Sequence, residues 1–196
     1  MGNDTKPGKH FSHLRNLLPN LRGLAILDND GRGRTGSIDQ GLETLYWSRY
    51  EAENYFITPE LLRTYTWKQY DTDNLFEVVD REEVDGVLDG LVLESVFGGV
   101  EADFNPWKAA PPDLSRIIWE STTRQIKLST FAEEYFRRLS GRLKRPMLLR
   151  KGQLHRLVQL VDPNSFPNEV VQKLEALRIL LSGPSSDHKM TNSSSS

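Results

Sequence analysis

The sequence predicts an α/β fold, a small sheet near the N-terminus followed by a helical C-terminal region. Three observations carry that reading. Leu24-Ala25-Ile26-Leu27 is a continuous apolar run, the pattern of a parallel strand covered on both faces. Leu42 to Ile57 is rich in aromatic and β-favouring residues (Leu45, Tyr46, Trp47, Tyr50, Tyr55, Phe56) and is predicted to be strand at least in part. From Thr58 onward, apolar residues recur at helical spacing in segment after segment.

In chain order, residues 1–9 are polar and expected to be disordered. Phe11, Leu14, Leu17 and Leu18 have helical spacing, and Pro19-Asn20 stops the helix. A strand over Leu21–Leu27 leads into Asp28–Ser37, a loop by its Gly, Asn and Asp content. Thr58 is a good N-cap with Pro59 at the first helical position, for a helix to about Tyr70. Arg81–Phe97 is a helix with Val84, Val87, Leu88, Leu91, Val92 and Val96 on one side, ended by Gly98-Gly99. Asp103–Pro112 is a loop holding Trp107. Asp113 is expected to cap the next helix. Ser129 or Thr130 caps the one after, with Glu133 near the capping-box position. Lys151–Val161 and Asn168–Leu181 are two further amphipathic helices. Residues 182–196 form a Ser-rich tail, expected to be disordered. The expected division is therefore an α/β portion over 10–70 and a helical region over 71–181 packed on it.

The 196 residues suffice for one domain with a sizeable core. Zero cysteines exclude a disulfide framework, a thiolate zinc site and a cysteine nucleophile. No apolar run approaches the roughly 18 residues of a membrane helix, and Met1–His10 has no apolar stretch of a secretory signal, so a cytoplasmic protein with no membrane partner is expected. The net charge of −2 is uninformative, but the charge is segregated. Asp71–Asp103 holds eleven acids opposed only by Arg81, and Lys127–Arg156 holds nine bases against Glu133 and Glu134. The basic stretch is either a phosphate-attracting surface or a solvated face opposing the acidic one in the fold.

The sharpest chemical feature is Asp28-Asn29-Asp30-Gly31 after the apolar strand. Ligands of parallel sheets bind beyond the carboxyl ends of strands. Two carboxylates there can share a hard cation such as Mg²⁺ or Mn²⁺. Gly31, Gly33 and Gly36 let backbone approach a phosphate, and Arg32 and Arg34 can hold its oxygens. An ordinary Asp/Asn turn is the plain alternative. Downstream, Glu51 and Glu53 alternate on the predicted strand and would share a face, which calls for water, a cation or a basic partner. Arg150 and Lys151, at the start of the Lys151–Val161 helix, are further candidates for binding phosphate or DNA, and His155 lies four residues after Lys151.

The pairing of LDNDG with WSRYEAENYFITPELL, together with the late LLRKGQLHRLVQLV and EVVQKLEALRILL segments, resembles the C-terminal Toprim nuclease part of the OLD-family (overcoming lysogenization defect) ATPases. The resemblance covers roughly Leu14 to Leu181. It implies a Toprim-like, Rossmannoid core that binds divalent metal and cuts DNA. Asp28 and Asp30 match the Asp-x-Asp motif, Glu53 matches the acid of the Glu-Asn-Tyr segment with Glu51 beside it, and Lys151 matches the late base that assists at the phosphate. A Toprim domain opens with a strand ending in glutamate, and nothing before Leu24 resembles it; the only earlier acid is Asp4. No Gly-x-x-x-x-Gly-Lys-Ser/Thr loop occurs, so there is no ATP site in this chain. The expectation is an incomplete Toprim-like core, its remainder supplied by an ATPase domain or a separate chain, with homo-oligomers a further option. Two other readings stand beside the nuclease: a non-catalytic module docking on a partner ATPase or on DNA, and a phosphotransferase with Asp28 as nucleophile.

Overall fold

The computed structural model describes residues 5–73, 80–96, 98 and 112–182. The loop expected around Trp107, the Ser-rich tail from 183 on and residues 1–4 lie outside them. The protein is a mixed α/β fold with a three-stranded sheet and a majority of helix. Helix α1 (Thr5–Leu17) begins inside the stretch expected to be disordered. Strand β1 (Gly23–Leu27) runs parallel to β3 (Leu42–Tyr46), in register from Gly23↔Leu42 to Leu27↔Tyr46. Strand β2 (Ser37–Asp39), unforeseen in the sequence, pairs antiparallel with β3, giving the order β1-β3-β2. Gln40 and Gly41 join them with φ of 45° and 87°, positive at both turn positions as a tight two-residue hairpin requires.

Two expectations about strands are corrected. The strand-like segment ends at Tyr46, because the chain bends over Trp47–Glu51 and then forms a 3₁₀ turn, Ala52–Tyr55. Glu51 and Glu53 therefore do not alternate on a strand. In addition, β1 is half-buried along its whole length rather than covered on both faces.

Helix α2 (Pro59–Asp73) starts as predicted, with Thr58 Oγ1 accepting the Leu61 N–H at 3.2 Å. Helix α3 (Arg81–Val96) is capped by Asp80, whose carboxylate accepts the Glu82 N–H at 2.9 Å, and it buries Val84, Leu88, Leu91 and Val92. Helix α4 (Pro112–Thr123) starts one residue before Asp113, which lies inside its first turn rather than at the cap. Helix α5 (Leu128–Leu143) closes on Lys144 in the left-handed region (φ 53°), beyond Gly141, the glycine at which the sequence predicts its end. Lys151–Leu160 is a 3₁₀ helix, not the α-helix expected. Leu154, Leu157 and Leu160 recur every three residues, and three residues per turn aligns them on one side toward the core. Helix α6 spans Asn168–Ser182.

The chain forms two compact units. A sheet unit comprises the segment up to Leu27, Arg34–Tyr46 and the segment from Pro167; a helical unit comprises Asp28–Gly33 and Trp47–Phe166. The boundary thus does not fall at residue 70, since α2 and all that follows to Phe166 belong with the Asp28–Gly33 loop. The helical unit holds the core, in which Ile57, Leu62, Leu88, Trp119, Leu128, Tyr135, Phe136 and Leu157 are buried together. Among its buried polar groups, Trp119 Nε1 donates to the Ile57 carbonyl at 3.0 Å and the Thr66 and Tyr135 hydroxyls meet at 2.9 Å, whereas Trp67 Nε1 and the Tyr70 hydroxyl have no hydrogen-bond partner. The acidic and basic stretches oppose each other across α3 and α5, through Arg138–Glu94 at 2.7 Å and Arg142–Glu83 at 3.3 Å.

Candidate functional site

Every acid singled out in the sequence falls in the helical unit, as does Lys151. Asp28 follows the last residue of β1. One of its carboxylate oxygens accepts the Ala52 N–H at 3.2 Å, which ties the Asp-x-Asp loop to the 3₁₀ turn carrying Glu53. Asn29 to Arg32 is a turn closed by the Arg32 N–H on the Asn29 carbonyl at 3.0 Å. Its two central residues, Asp30 and Gly31, have φ of 51° and 70°. Asp tolerates that region and Gly favours it. A side chain at Gly31 would also meet the Tyr50 ring at 3.4 Å. The Asp30 N–H bonds the Tyr50 carbonyl at 3.0 Å, and the Asp30 carboxylate lies 4.0 Å from the Arg32 guanidinium.

Glu51 has a structural partner set. It is 3% exposed; one oxygen accepts the Ser129 N–H at 2.5 Å, and the other accepts the Ser129 hydroxyl at 2.9 Å. Lys127 Nζ lies 3.8 Å from the second oxygen. Glu51 therefore caps the N-terminus of α5 from 78 positions upstream, where unpaired N–H groups and the helix dipole favour a carboxylate. Ser129 is inside the helix and takes this cap instead of supplying one. Glu133, expected in a capping box, instead accepts the Lys151 N–H at 3.1 Å.

Asn54 clamps the same corner. Its amide nitrogen donates to the carbonyls of Thr123 (2.8 Å) and Ile126 (2.9 Å), while its buried oxygen has no hydrogen-bond partner. Arg49 is stacked on Tyr55 at 4.7 Å and bonded to the Asn54 carbonyl at 2.6 Å and to Glu120 at 3.2 Å.

The charges act on one another. Partial burial raises the Asp28 carboxyl above its ordinary value, and the negative charges of Glu51 and Asp30 add to the rise; the Ala52 N–H and Lys127 oppose it. Glu53 is likewise raised, first by burial, then by Glu51 and Asp28, against its own backbone N–H and Lys151. Asp28 therefore feels the charges of Glu51, Asp30 and Lys127, and Glu53 those of Glu51, Asp28 and Lys151. Arg32 and Arg150 are exposed in the same unit, whereas Arg34 belongs to the sheet unit and lies 5.5 Å over the Tyr46 ring. Lys127, which no sequence motif marked, is the further cation of the cluster; it sits in the α4–α5 connection over Tyr50 at 5.8 Å.

Among the described residues no three His, Asp or Glu side chains converge to hold a metal. With Glu51 committed to α5, Asp28, Asp30 and Glu53 remain of the carboxylates singled out in the sequence. Mg²⁺ is commonly held by one or two carboxylates with water and substrate phosphate completing its shell. A cation there would offset the burial and the like-charge repulsion that raise the Asp28 and Glu53 carboxyls. Comparison with protein-family models, curated proteins and solved structures returned no significant match.

Proposed function

We propose that this chain is a Toprim-type, divalent-cation-dependent module for phosphodiester hydrolysis in DNA, related to the OLD-family nucleases and incomplete on its own. The observation that supports it most is the tie of Asp28 to the turn that carries Glu53, through the Ala52 N–H, with both carboxyls raised and Lys151 acting on Glu53. Asp28 and Glu53 would hold Mg²⁺ or Mn²⁺, which supplies Lewis-acid activation of water and of the phosphate. The residues themselves divide the remaining work. Glu53, holding its proton to higher pH than a free glutamate, can exchange a proton with the attacking water or the leaving oxygen. Lys151 offsets charge that builds on the phosphate, and Arg32 and Arg150 position flanking phosphates. An ATPase domain or a partner chain would complete the metal shell.

Mn²⁺ titration by calorimetry tests this reading. The chain should bind Mn²⁺, and Asp28→Asn or Glu53→Gln should weaken binding roughly tenfold or more. Plasmid nicking by the chain alone should be very low. Absence of Mn²⁺ binding would reject the metal site. It would favour the second reading, a non-catalytic module docking on a partner ATPase or on DNA, which the commitment of Glu51 to α5 supports.

A further inference from the structure

Residues 50–54, all within the helical unit, make contacts on two sides. Their backbone holds the acid loop: the Tyr50 carbonyl accepts the Asp30 N–H at 3.0 Å, and the Ala52 N–H donates to Asp28 at 3.2 Å. The other contacts go to the connection between α4 and α5. The Tyr50 N–H donates to the Arg124 carbonyl at 3.2 Å, Glu51 caps α5 through Ser129, and the Asn54 amide donates to the carbonyls of Thr123 and Ile126. Thr123 is the last residue of α4, and the last carbonyls of a helix find no partner inside it. Two side chains three positions apart therefore close the carboxyl end of one helix and the amino end of the next. Asn54 is 4% exposed, and its amide oxygen is buried without a partner, which costs stability. The amide contributes through its two donors alone.

We infer that Asn54 is the positioning residue of the acid site: its two donors fix the 3₁₀ turn Ala52–Tyr55 against the α4–α5 connection, and that turn holds Asp28 and carries Glu53. The turn has little bonding of its own. The Asn54 N–H meets the Glu51 carbonyl at 3.2 Å, and the Phe56 and Ile57 N–H groups share the Glu53 carbonyl at 3.2 and 3.0 Å. Hydrogen bonds of a 3₁₀ turn are poorly aligned, so anchors outside it set its place. Tyr50 and Glu51 anchor its entry, and Arg49 holds the Asn54 carbonyl at 2.6 Å. Within the turn, the Asn54 side chain is the one that reaches the helices, next in sequence to Glu53. Without its donors the Ala52 N–H is free to move relative to Asp28, while Tyr50 still ties Asp30. This geometry stands without a cation. Its consequence for cation binding rests on the reading of Asp28 and Glu53 as ligands.

Amide hydrogen exchange, followed by NMR on the full chain without metal, tests the positioning. Asn54→Ala should speed exchange of the Ala52 amide about tenfold or more relative to the Leu91 and Val92 amides of the core. Leu88→Ala, in the core of α3, is the control for a merely structural effect; it should speed the core amides and not Ala52 selectively. Asn54→Ser keeps one donor and should show a smaller change in the same direction, which covers an Asn54→Ala chain that fails to fold. In calorimetric titration with Mn²⁺, Asn54→Ala should bind roughly tenfold more weakly than the unmodified chain, and Leu88→Ala as tightly as it. An unmodified chain that does not bind Mn²⁺ rejects the metal reading alone, and the exchange rates then decide the role of Asn54. Ala52 exchange that is unchanged in both Asn54 variants, or faster only in step with the core, overturns the inference. So does a bound Mn²⁺ whose affinity Asn54→Ala leaves intact.

Discussion

In the helical unit, Leu62, Val84, Leu88 and Leu157 have no exposed surface, and three different elements supply them. In the sheet unit, Phe11 and Val170 are the only buried apolar side chains among the described residues, while Leu17, Ile38 and Leu181 are each more than three-quarters exposed. The two units have similar apolar sequences, LRILL in α6 being as hydrophobic as VLDGLVL in α3. Sequence hydrophobicity therefore measures how much a segment can bury, and only its neighbours decide how much it does.

Paired substitutions test that contrast most strongly. Leu88→Ala, in the closed core, should cost about 2–5 kcal/mol in denaturant unfolding. Leu181→Ala, at an exposed position of α6, should change stability by no more than about 0.5 kcal/mol. Equal losses would mean that the sheet unit has a closed core after all.

Glu51 carries the next effect. Glu51→Ala leaves the buried Ser129 N–H and hydroxyl without their acceptor and should cost about 1–3 kcal/mol. Ser129→Ala should cost less, because the backbone N–H still meets the carboxylate. If both substitutions left the melting temperature unchanged, Glu51 would not anchor the start of α5.

The smallest effect has an unusual sign. In the folded chain Asp28 and Glu53 keep their protons above the ordinary values of 3.8 and 4.5. Between those values and the raised ones, the native state binds more protons than the unfolded state. Their contribution to stability therefore falls as pH rises through that window, the reverse of a carboxylate held in a salt bridge. Asp28→Asn should raise the melting temperature slightly at neutral pH and not at pH well below the carboxylate range. A variant that melts lower at neutral pH would show that the Ala52 N–H bond outweighs the repulsion.

Local signals were the ones legible in the sequence. Thr58-Pro59 marks the start of α2 because the cap and the helix are adjacent, and the spacing of Val84, Leu88 and Leu91 gives α3 its buried face. Hairpin β2–β3 was not legible, since Gln40 stands where Asn or Asp usually marks a turn with positive φ. The aromatic stretch after Tyr46 reads as strand, yet the Trp47 and Tyr55 rings meet at 5.1 Å, tilted by 53°, across a bend and a 3₁₀ turn. At the site, the Asp-x-Asp loop is joined to the Glu-Asn-Tyr segment by the Ala52 N–H on Asp28. The capping role of Glu51 and the nearness of Lys127 arise from contacts across more than seventy residues, and no local pattern encodes them.

The divided make-up of the sheet unit also orders the events of folding. Apart from Asp28–Gly33, the helical unit is one unbroken stretch, and its contacts close comparatively short loops. Helix α6 meets β1 only after about 140 intervening residues have been brought to heel, a closure that is entropically slow until those residues are compact. The helical unit should therefore form first and hold Asp28 in place. The sheet unit would assemble last, when α6 arrives on a strand whose carboxyl end is already fixed.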